Sequence, residues 1–192
     1  MIKYMYIIHS LMFIIIISLL LILVELNEFK GNLSKKLDRI HRLHTYYRNS
    51  LLLCKVPTQP PADDMAVLRW HPVLAKHAQL VANKCDVTFD LINDKSLEQF
   101  ESVGQNVAEA NSVTSAMENW FRECNNYTYE TDKCRGDCSN YRQMVWAKTK
   151  LIGCGLNKCK KKLMIVCNYS PSAEDKGRPY EKGDPQLCKI KD

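Results

Sequence analysis

Histidine, serine and cysteine carry much of the acid–base and nucleophilic catalysis in proteins, but their spacing in this chain matches no common hydrolase. His41 and His44 share one helix face, yet no glutamate stands in the H-E-x-x-H register of a zinc protease. The chain has no G-x-S-x-G segment to expose a nucleophilic serine, and no His–Asp pair among cysteines as in a secreted phospholipase. We therefore expect neither catalytic residues nor enzymatic activity.

Nine cysteines among 192 residues indicate an oxidising compartment. No two of them form a C-x-x-C pair, and a cytosolic chain seldom carries so many thiols without the spacing of a metal site. Cysteines held in disulfides cannot act as thiolate nucleophiles. The cysteine content therefore predicts a disulfide-stabilised domain outside the cytoplasm.

The first segment of the chain, residues 1–27, predicts export. An apolar block from Leu11 to Val24 follows a lysine near the start, which is typical of a signal peptide. A retained membrane anchor is the alternative, because no small-residue cleavage site follows and the apolar run approaches the ~20 residues that span a bilayer. Cleavage is favoured because the fully apolar core has the length of a signal-peptide core. We expect a secreted, extracellular protein with one domain over 33–180 and a tail over 181–192.

Three sequons for N-glycosylation begin at Asn32, Asn126 and Asn168. We expect glycosylation at the first two. The third is the least favoured, because Pro171 follows it and the residues around it have the composition of a buried strand.

The formal net charge is +6, and the basic residues are dispersed except at one cluster of lysines. This cluster contains Lys158, Lys160, Lys161 and Lys162. It could meet heparan-like polymers or anionic lipid head groups, but a solvated hairpin tip is favoured because lysine there keeps neighbouring strands from aggregating. We expect no nucleic-acid partner.

Hydrophobic spacing predicts helices that flank a small sheet. A helix from Ser34 to about Leu51 carries apolar residues at three- and four-residue intervals, and a proline-rich loop over 55–64 follows it. Two apolar, β-branched runs around a basic turn predict an antiparallel hairpin over 151–169. The other predicted elements are helices over 70–85, 113–124 and 141–149, a short strand over 102–110, and irregular segments over 86–100, 125–140 and 171–192.

Two longer motifs resemble the signatures of the CAP superfamily, which comprises cysteine-rich secretory proteins, insect antigen five and plant pathogenesis-related class-one proteins. The first is Ser139–Trp146 followed by Ile152–Gly155, and the second is Val166–Pro171. Shorter matching pieces are His44-x-x-x-Arg48, Met65–Cys85, Gly104-Gln105-Asn106, Trp120-x-x-Glu123 and Gly177–Gly183. The resemblance covers residues 37–180, and within the superfamily the chain is most similar to the venom allergen-like proteins of parasitic worms.

This resemblance implies an α+β fold, a three-layer α-β-α sandwich with a small antiparallel sheet. It also implies three disulfides: Cys85–Cys159, Cys134–Cys138 and Cys154–Cys167.

The other three cysteines are not assigned by the resemblance. Cys54 and Cys124 both lie at predicted helix ends, so we expect them to form a fourth disulfide. Cys188, in the tail, would then be free to link two chains as a dimer, with a capped or free thiol as the alternative.

The resemblance also implies a central cavity, where many relatives carry two histidines and two acids that hold a divalent metal such as zinc. Here the matching positions are Asp90, Gln105, Glu123 and Asn140, and only Glu123 keeps the family residue. Carboxamides ligate transition metals poorly. We therefore expect no metal and no cofactor, and an amide network of hydrogen bonds at this place.

CAP domains are associated with binding fatty acids and sterols, so the resemblance favours lipid binding. Candidate residues for a fatty acid between the first and third helices are Leu37, Ile40, Met117 and Phe121, which ordinary core packing would explain equally. Tyr127 and Tyr129 occupy the region of a sterol-binding motif, although Cys134 stands where a further aromatic is expected. A scaffold that binds an extracellular protein receptor is the alternative, and a hydrolase is the least favoured reading.

Overall fold

The computed structural model describes residues 2–87, 95–174 and 176–190. The chain divides into two compact units, residues 1–36 and residues 37–192. Helix α1 runs from Ile2 to Leu52, so its final part belongs to the second unit. Within Met12–Leu52 a window of mean hydropathy 2.3, with 0% of it buried, is long and apolar enough to cross a membrane, a property that signal sequences share.

Helix α1 begins well before the predicted start at Ser34. No proline interrupts the chain between the apolar block and that residue, and residues 25–30 are dominated by glutamate, leucine and lysine, which favour helix. A Cβ at Gly31 would meet no atom within 4 Å, so nothing packs against the helix there within the described residues. The sequence at this point therefore continues the helix.

The middle layer of the second unit is a four-stranded sheet in the order β1-β5-β6-β2. Its strands are β1 Arg69–Trp70, β2 Gly104–Ala110, β5 Leu151–Cys159 and β6 Lys162–Ser170. Strands β5 and β6 form the predicted antiparallel hairpin, β2 pairs antiparallel with β6, and β1 pairs parallel with β5. A separate two-stranded sheet consists of β3 Tyr127–Thr128 and β4 Lys133–Cys134.

Helices cover both faces of the four-stranded sheet. Met164 and Val166 of β6 pack in one cluster with Ala78 of α2, which is Pro72–Asn83. Tyr169, which points to the opposite face because side chains alternate along a strand, reaches His44 of α1. Helices α3, Val113–Arg122, and α4, Ser139–Met144, complete the second helical layer. The expected three-layer α-β-α sandwich is confirmed.

Two glycines in β5 let α2 lie directly on the sheet. A Cβ at Gly153 would overlap backbone at the start of α2, and a Cβ at Gly155 would overlap the backbone of Gln79. The Gln79 side chain also pairs with the strand, because its Nε2 donates to Leu156 O at 3.0 Å and Leu156 N donates to its Oε1 at 3.1 Å. Helix α2 is thus tied to β5 by hydrogen bonds as well as by packing.

The predicted helix over 141–149 is displaced, since α4 starts at Ser139 and ends at Met144. The helix does not continue, because the Ala147 amide donates to Pro179 O instead of to a carbonyl one turn earlier. The Met144 and Trp146 carbonyls accept hydrogen bonds from Arg48. The segment predicted to be irregular over 125–140 contains β3 and β4, whose two-residue strands are too short for a periodic pattern.

Three of the four expected disulfides are confirmed, and the fourth is wrong. Cys85–Cys159, Cys134–Cys138 and Cys154–Cys167 are present. The residues Cys154 and Cys167 stand directly opposite each other in the β5–β6 register.

The fourth disulfide joins Cys54 to Cys188, so Cys188 is paired within the chain instead of between chains. The tail runs back beside the segment that follows α1, where Gly183 N donates to Pro61 O at 2.9 Å. Cys124 is a buried free thiol, and burial raises its pKa.

We predict that the native protein contains one free thiol, that of Cys124, and forms no intermolecular disulfide. Iodoacetamide should leave Cys124 unmodified in native buffer and label one cysteine per chain in denaturant, because a buried, protonated thiol is a poor nucleophile. Peptide mass spectrometry identifies the labelled residue. Label on Cys188, or a reducible dimer on a gel, would contradict the pairing.

Candidate functional site

Glu123 follows α3 directly, and its carboxylate is held by the start of α4. Asn140 Nδ2 donates to Glu123 Oε1 at 2.7 Å, and the Tyr141 amide donates to Oε2 at 3.0 Å. Burial raises the pKa of Glu123, while these two hydrogen bonds act in the opposite direction. Both carboxylate oxygens therefore already have protein donors.

Gln105 belongs to a second hydrogen-bonded group, on the face of the sheet covered by α2. It stands opposite Asn168 in the β2–β6 register, and its Nε2 donates to Asn168 Oδ1 at 2.7 Å. Asn168 Nδ2 in turn contacts Leu74 O at 3.1 Å and His77 Nδ1 at 2.8 Å. Gln105 Oε1 is buried and has no hydrogen-bond partner among the residues that the structure describes. Asn168 is completely buried, which removes it as a glycosylation site.

A line of neutral hydrogen bonds connects α1 to α4 on the other face of the sheet. His44 Nδ1 lies 2.8 Å from Ile40 O and donates to it, so His44 Nε2 accepts from the Tyr169 hydroxyl at 2.7 Å. Asn106 hydrogen-bonds the Tyr169 side chain and donates from Nδ2 to Asn140 O at 3.0 Å. Burial lowers the pKa of His44 to about 4, so this histidine is neutral at physiological pH.

Gln105 and Asn140 share a cleft of about 500 Å³, and Glu123 is not among the residues that line it. The structure therefore brings three of the four expected cavity residues into neighbouring hydrogen-bonded groups, while Asp90 lies outside the described residues. The lining residues are Val87, Gln105, Asn106, Val107, Cys134, Gly136, Asp137, Cys138, Ser139, Asn140, Arg142, Gln143, Ala173 and Glu174.

The donor set at the cavity positions does not fit a zinc ion. Zinc prefers imidazole, thiolate and carboxylate ligands, whereas Gln105 and Asn140 offer amides and Glu123 is occupied by two donors. In the parts of the chain that are described, no three His, Cys, Asp or Glu side chains are grouped to hold a metal. The arrangement can hold α3, α4 and the sheet together through neutral hydrogen bonds.

The sequence of this fold matches a known protein family. Residues 41–169 match the model of the cysteine-rich secretory protein family, CAP. The chain belongs to the CAP family. The match includes the first signature motif, the second as far as Tyr169, and the cavity positions Gln105, Glu123 and Asn140.

The CAP chain is similar to vertebrate, insect and worm proteins. It is 30% identical over 129 residues to mouse glioma pathogenesis-related protein 1, which covers 65% of this chain and 51% of that protein. It is 38% identical over 136 residues to venom allergen 5 of Polistes dominula, which covers 63% of this chain and 58% of that protein. This chain thus spans little more than half of these two relatives.

Among solved structures, Schistosoma mansoni venom allergen-like protein 4 matches with a TM-score of 0.76 and 39% identity, covering 81% of this chain and 100% of that one. The resemblance to venom allergen-like proteins of worms is thereby confirmed.

The four candidate fatty-acid residues of the CAP chain differ in burial. Ile40 and Met117 are completely buried, whereas Leu37 and Phe121 are half-buried. Phe121 stacks on Tyr47 of α1, with ring centroids 4.3 Å apart and planes 20° apart. We call Leu37, Ile40, Met117 and Phe121 the α1–α3 seam.

The two candidate sterol residues point into the protein. Tyr127 and Tyr129 are only 4% and 5% exposed. The Tyr127 hydroxyl donates to Asp132 Oδ1 and the Tyr129 hydroxyl to Tyr180 O, each at 2.7 Å. Arg178 lies over the Tyr129 ring at 5.3 Å from its centroid. Their hydroxyl groups are thus already engaged within the protein.

Sequence reasoning identified Arg48 only as part of a family motif, and the structure gives its role. Its guanidinium donates to Met144 O and Trp146 O from one nitrogen, and to Ala66 O and Ala147 O from the other. The available signal in the sequence was the four-residue spacing of His44 and Arg48, which places both on one face of α1.

We predict that the protein binds zinc no more tightly than weak surface sites do. Isothermal calorimetry with zinc chloride should show no micromolar or tighter binding, because amides replace the ionisable ligands. The double variant Gln105→Glu, Asn140→His places a carboxylate and an imidazole in the cleft that these two residues line, and we expect it to gain measurable affinity. A stoichiometric, tight isotherm for the unmodified protein would overturn this account of the cavity.

We predict that the folded state loses stability as the pH falls from about 6.5 to about 4, the window between the ordinary and the folded pKa of His44. The unfolded state takes up the proton first, so unfolding is favoured by about 3 kcal/mol at the lower end. The raised pKa of Glu123 acts in the opposite sense, because its neutral form is favoured when folded.

Urea denaturation of the protein and of His44→Gln across this range isolates the contribution of His44. The difference in unfolding free energy between the two proteins should shrink as the pH falls. A difference independent of pH would contradict a neutral, buried His44.

Proposed function

We propose that this CAP protein is exported and acts by binding a ligand, without catalysing a reaction. The state of Glu123 carries this proposal, because its two oxygens already accept hydrogen bonds from Asn140 and from the Tyr141 amide. A general acid or base must instead reach the substrate with a free proton position. Membership of a family that includes venom allergens, together with an apolar N-terminal helix compatible with a signal sequence, supports export.

We propose that the ligand is a fatty acid that binds along the α1–α3 seam. Ile40 and Met117 are completely buried and would form the apolar floor of this site, and the half-buried Leu37 and Phe121 would form its edge. An acyl chain that separated Phe121 from Tyr47 would replace one apolar contact by another, so the exchange costs little.

A sterol at Tyr127 and Tyr129 is less well supported than a fatty acid at the seam. Both rings are buried, and their hydroxyls are bound to Asp132 and Tyr180. A sterol would have to break these hydrogen bonds before it met an aromatic face, which makes the loop a poor lipid site in this conformation.

Organic extraction of protein made in eukaryotic cells, followed by mass spectrometry, should yield fatty acid. Calorimetry with palmitate should then show that Leu37→Gln and Phe121→Gln weaken binding about tenfold, since each places an amide against the acyl chain. Val67→Gln is the matched control, because Val67 is 80% exposed and lies outside the seam. An empty extract together with no palmitate binding would refute lipid carriage.

An extracellular interaction scaffold is the second candidate, and the fixed C-terminal segment favours it. Lys182 pairs with Ala62 in an isolated β-bridge, and the Cys54–Cys188 disulfide closes the same region. Loops held in this way bind a partner with little loss of conformational freedom. A scaffold would give an empty extract while retaining a receptor partner in cross-linking on host cells.

We also propose N-glycans at Asn32 and Asn126. Both asparagines are exposed, and in the second sequon Thr128 is exposed as well. Asn126 Nδ2 donates to Asp137 O at 3.3 Å, in an exposed position, so the amide is accessible for modification.

A further inference from the structure

Four lysines occupy the tip of the β5–β6 hairpin, and all four are exposed. They are Lys158, Lys160, Lys161 and Lys162. Within the described residues none of their ammonium groups makes an ion pair or a hydrogen bond. The hairpin tip, defined as residues 158–162, therefore carries four uncompensated positive charges in five residues.

The hairpin tip is held by a disulfide, so these charges have a fixed position. Cys159, in the middle of the tip, is bonded to Cys85 just after α2. Asn157 Nδ2 contacts Cys85 Sγ at 3.6 Å, and its Oδ1 accepts from the Lys158 amide at 2.9 Å. A site with a fixed backbone loses less freedom on binding than a mobile lysine-rich tail.

The register spreads the charges over both faces of the tip. Lys162 stands opposite Cys159, whose side chain points towards α2, so Lys162 leaves the sheet on that face. Lys158 neighbours Cys159 in the strand and therefore points to the other face. Lys160 and Lys161 form the two-residue connection between β5 and β6.

This geometry suits an extended polyanion better than a compact one. A single phosphate cannot contact charges that leave on two faces, whereas a linear polymer crossing the tip contacts them in turn. The tip offers no exposed apolar or aromatic side chain, because Cys159 is buried, and such side chains are what membrane-surface elements insert into lipid. Sulfated polysaccharide is the polyanion that an exported protein meets.

We propose that the hairpin tip is a binding site for sulfated glycosaminoglycan, with Lys158, Lys160, Lys161 and Lys162 as the residues that contact the sulfates. The site is separate from the amide cleft and the α1–α3 seam, since none of its lysines lines either. It holds the exported protein near cell surfaces and extracellular matrix, and its affinity falls with added salt.

The test measures binding of a heparin octasaccharide by the full exported protein. Changing all four tip lysines to glutamine should weaken binding about 600-fold, because each lysine near an anionic surface contributes about a fivefold change and the four changes multiply. The matched control changes Lys55, Lys133, Lys148 and Lys176 to glutamine, which removes the same charge from exposed positions elsewhere. It should change affinity less than about threefold.

Circular dichroism and the thermal midpoint verify that both variants are folded. A fully desulfated octasaccharide should not bind. The proposal is overturned if the affinity of the tip variant falls less than tenfold, or if the affinity of the control variant falls as much. It is also overturned if the unmodified protein does not bind the octasaccharide. It is also overturned if the tip lysines act only on vesicles of 70% phosphatidylcholine and 30% phosphatidylserine, because the partner is then lipid.

Discussion

The buried guanidinium of Arg48 is the interaction on which the rest of the second unit depends. It is 3% exposed and donates to four main-chain carbonyls, those of Ala66, Met144, Trp146 and Ala147. Burial lowers its pKa to about 10, which leaves it charged at neutral pH. Four carbonyl dipoles thus replace water around the charge, and α1 is fixed to the end of α4 and to the segment before β1.

Fixing α4 in turn positions the cavity residues. Asn140 and Tyr141 belong to the first turn of α4, and they hold both oxygens of Glu123. On the opposite face of the sheet, Asn168 aligns Gln105, because the two stand opposite each other in β2 and β6. The cavity therefore has two separate supports, a helix start and a strand pair, and neither requires a metal ion.

The sequence predicted those parts of the fold that rest on local periodicity or on long motifs. The β5–β6 hairpin followed from its apolar runs, and three disulfides from the family resemblance. The Cys54–Cys188 bond was missed because it depends on where an aperiodic tail returns, which no spacing rule encodes. The sequence predicted that Asn140 and Glu123 lie in one cavity, but it did not predict the hydrogen bond between them. Motifs give the positions of residues and not the geometry of their donors and acceptors.

Replacing ionisable cavity residues by amides has a physical logic. A histidine at position 140 would place a further ionisable group beside the half-buried Glu123, and a glutamate at position 105 would place a carboxylate beside the buried Asn168. Without a metal, the charges of these groups would be costly. Amides donate and accept hydrogen bonds without carrying a charge. Asn140 therefore donates a hydrogen bond to Glu123 without adding a charge. Through Asn106, Asn140 is also linked to Tyr169 and His44. Both amides thus have structural partners in the described residues, Asn140 at the end of α3 and Gln105 on the neighbouring strand, and these bonds join the helices to the sheet.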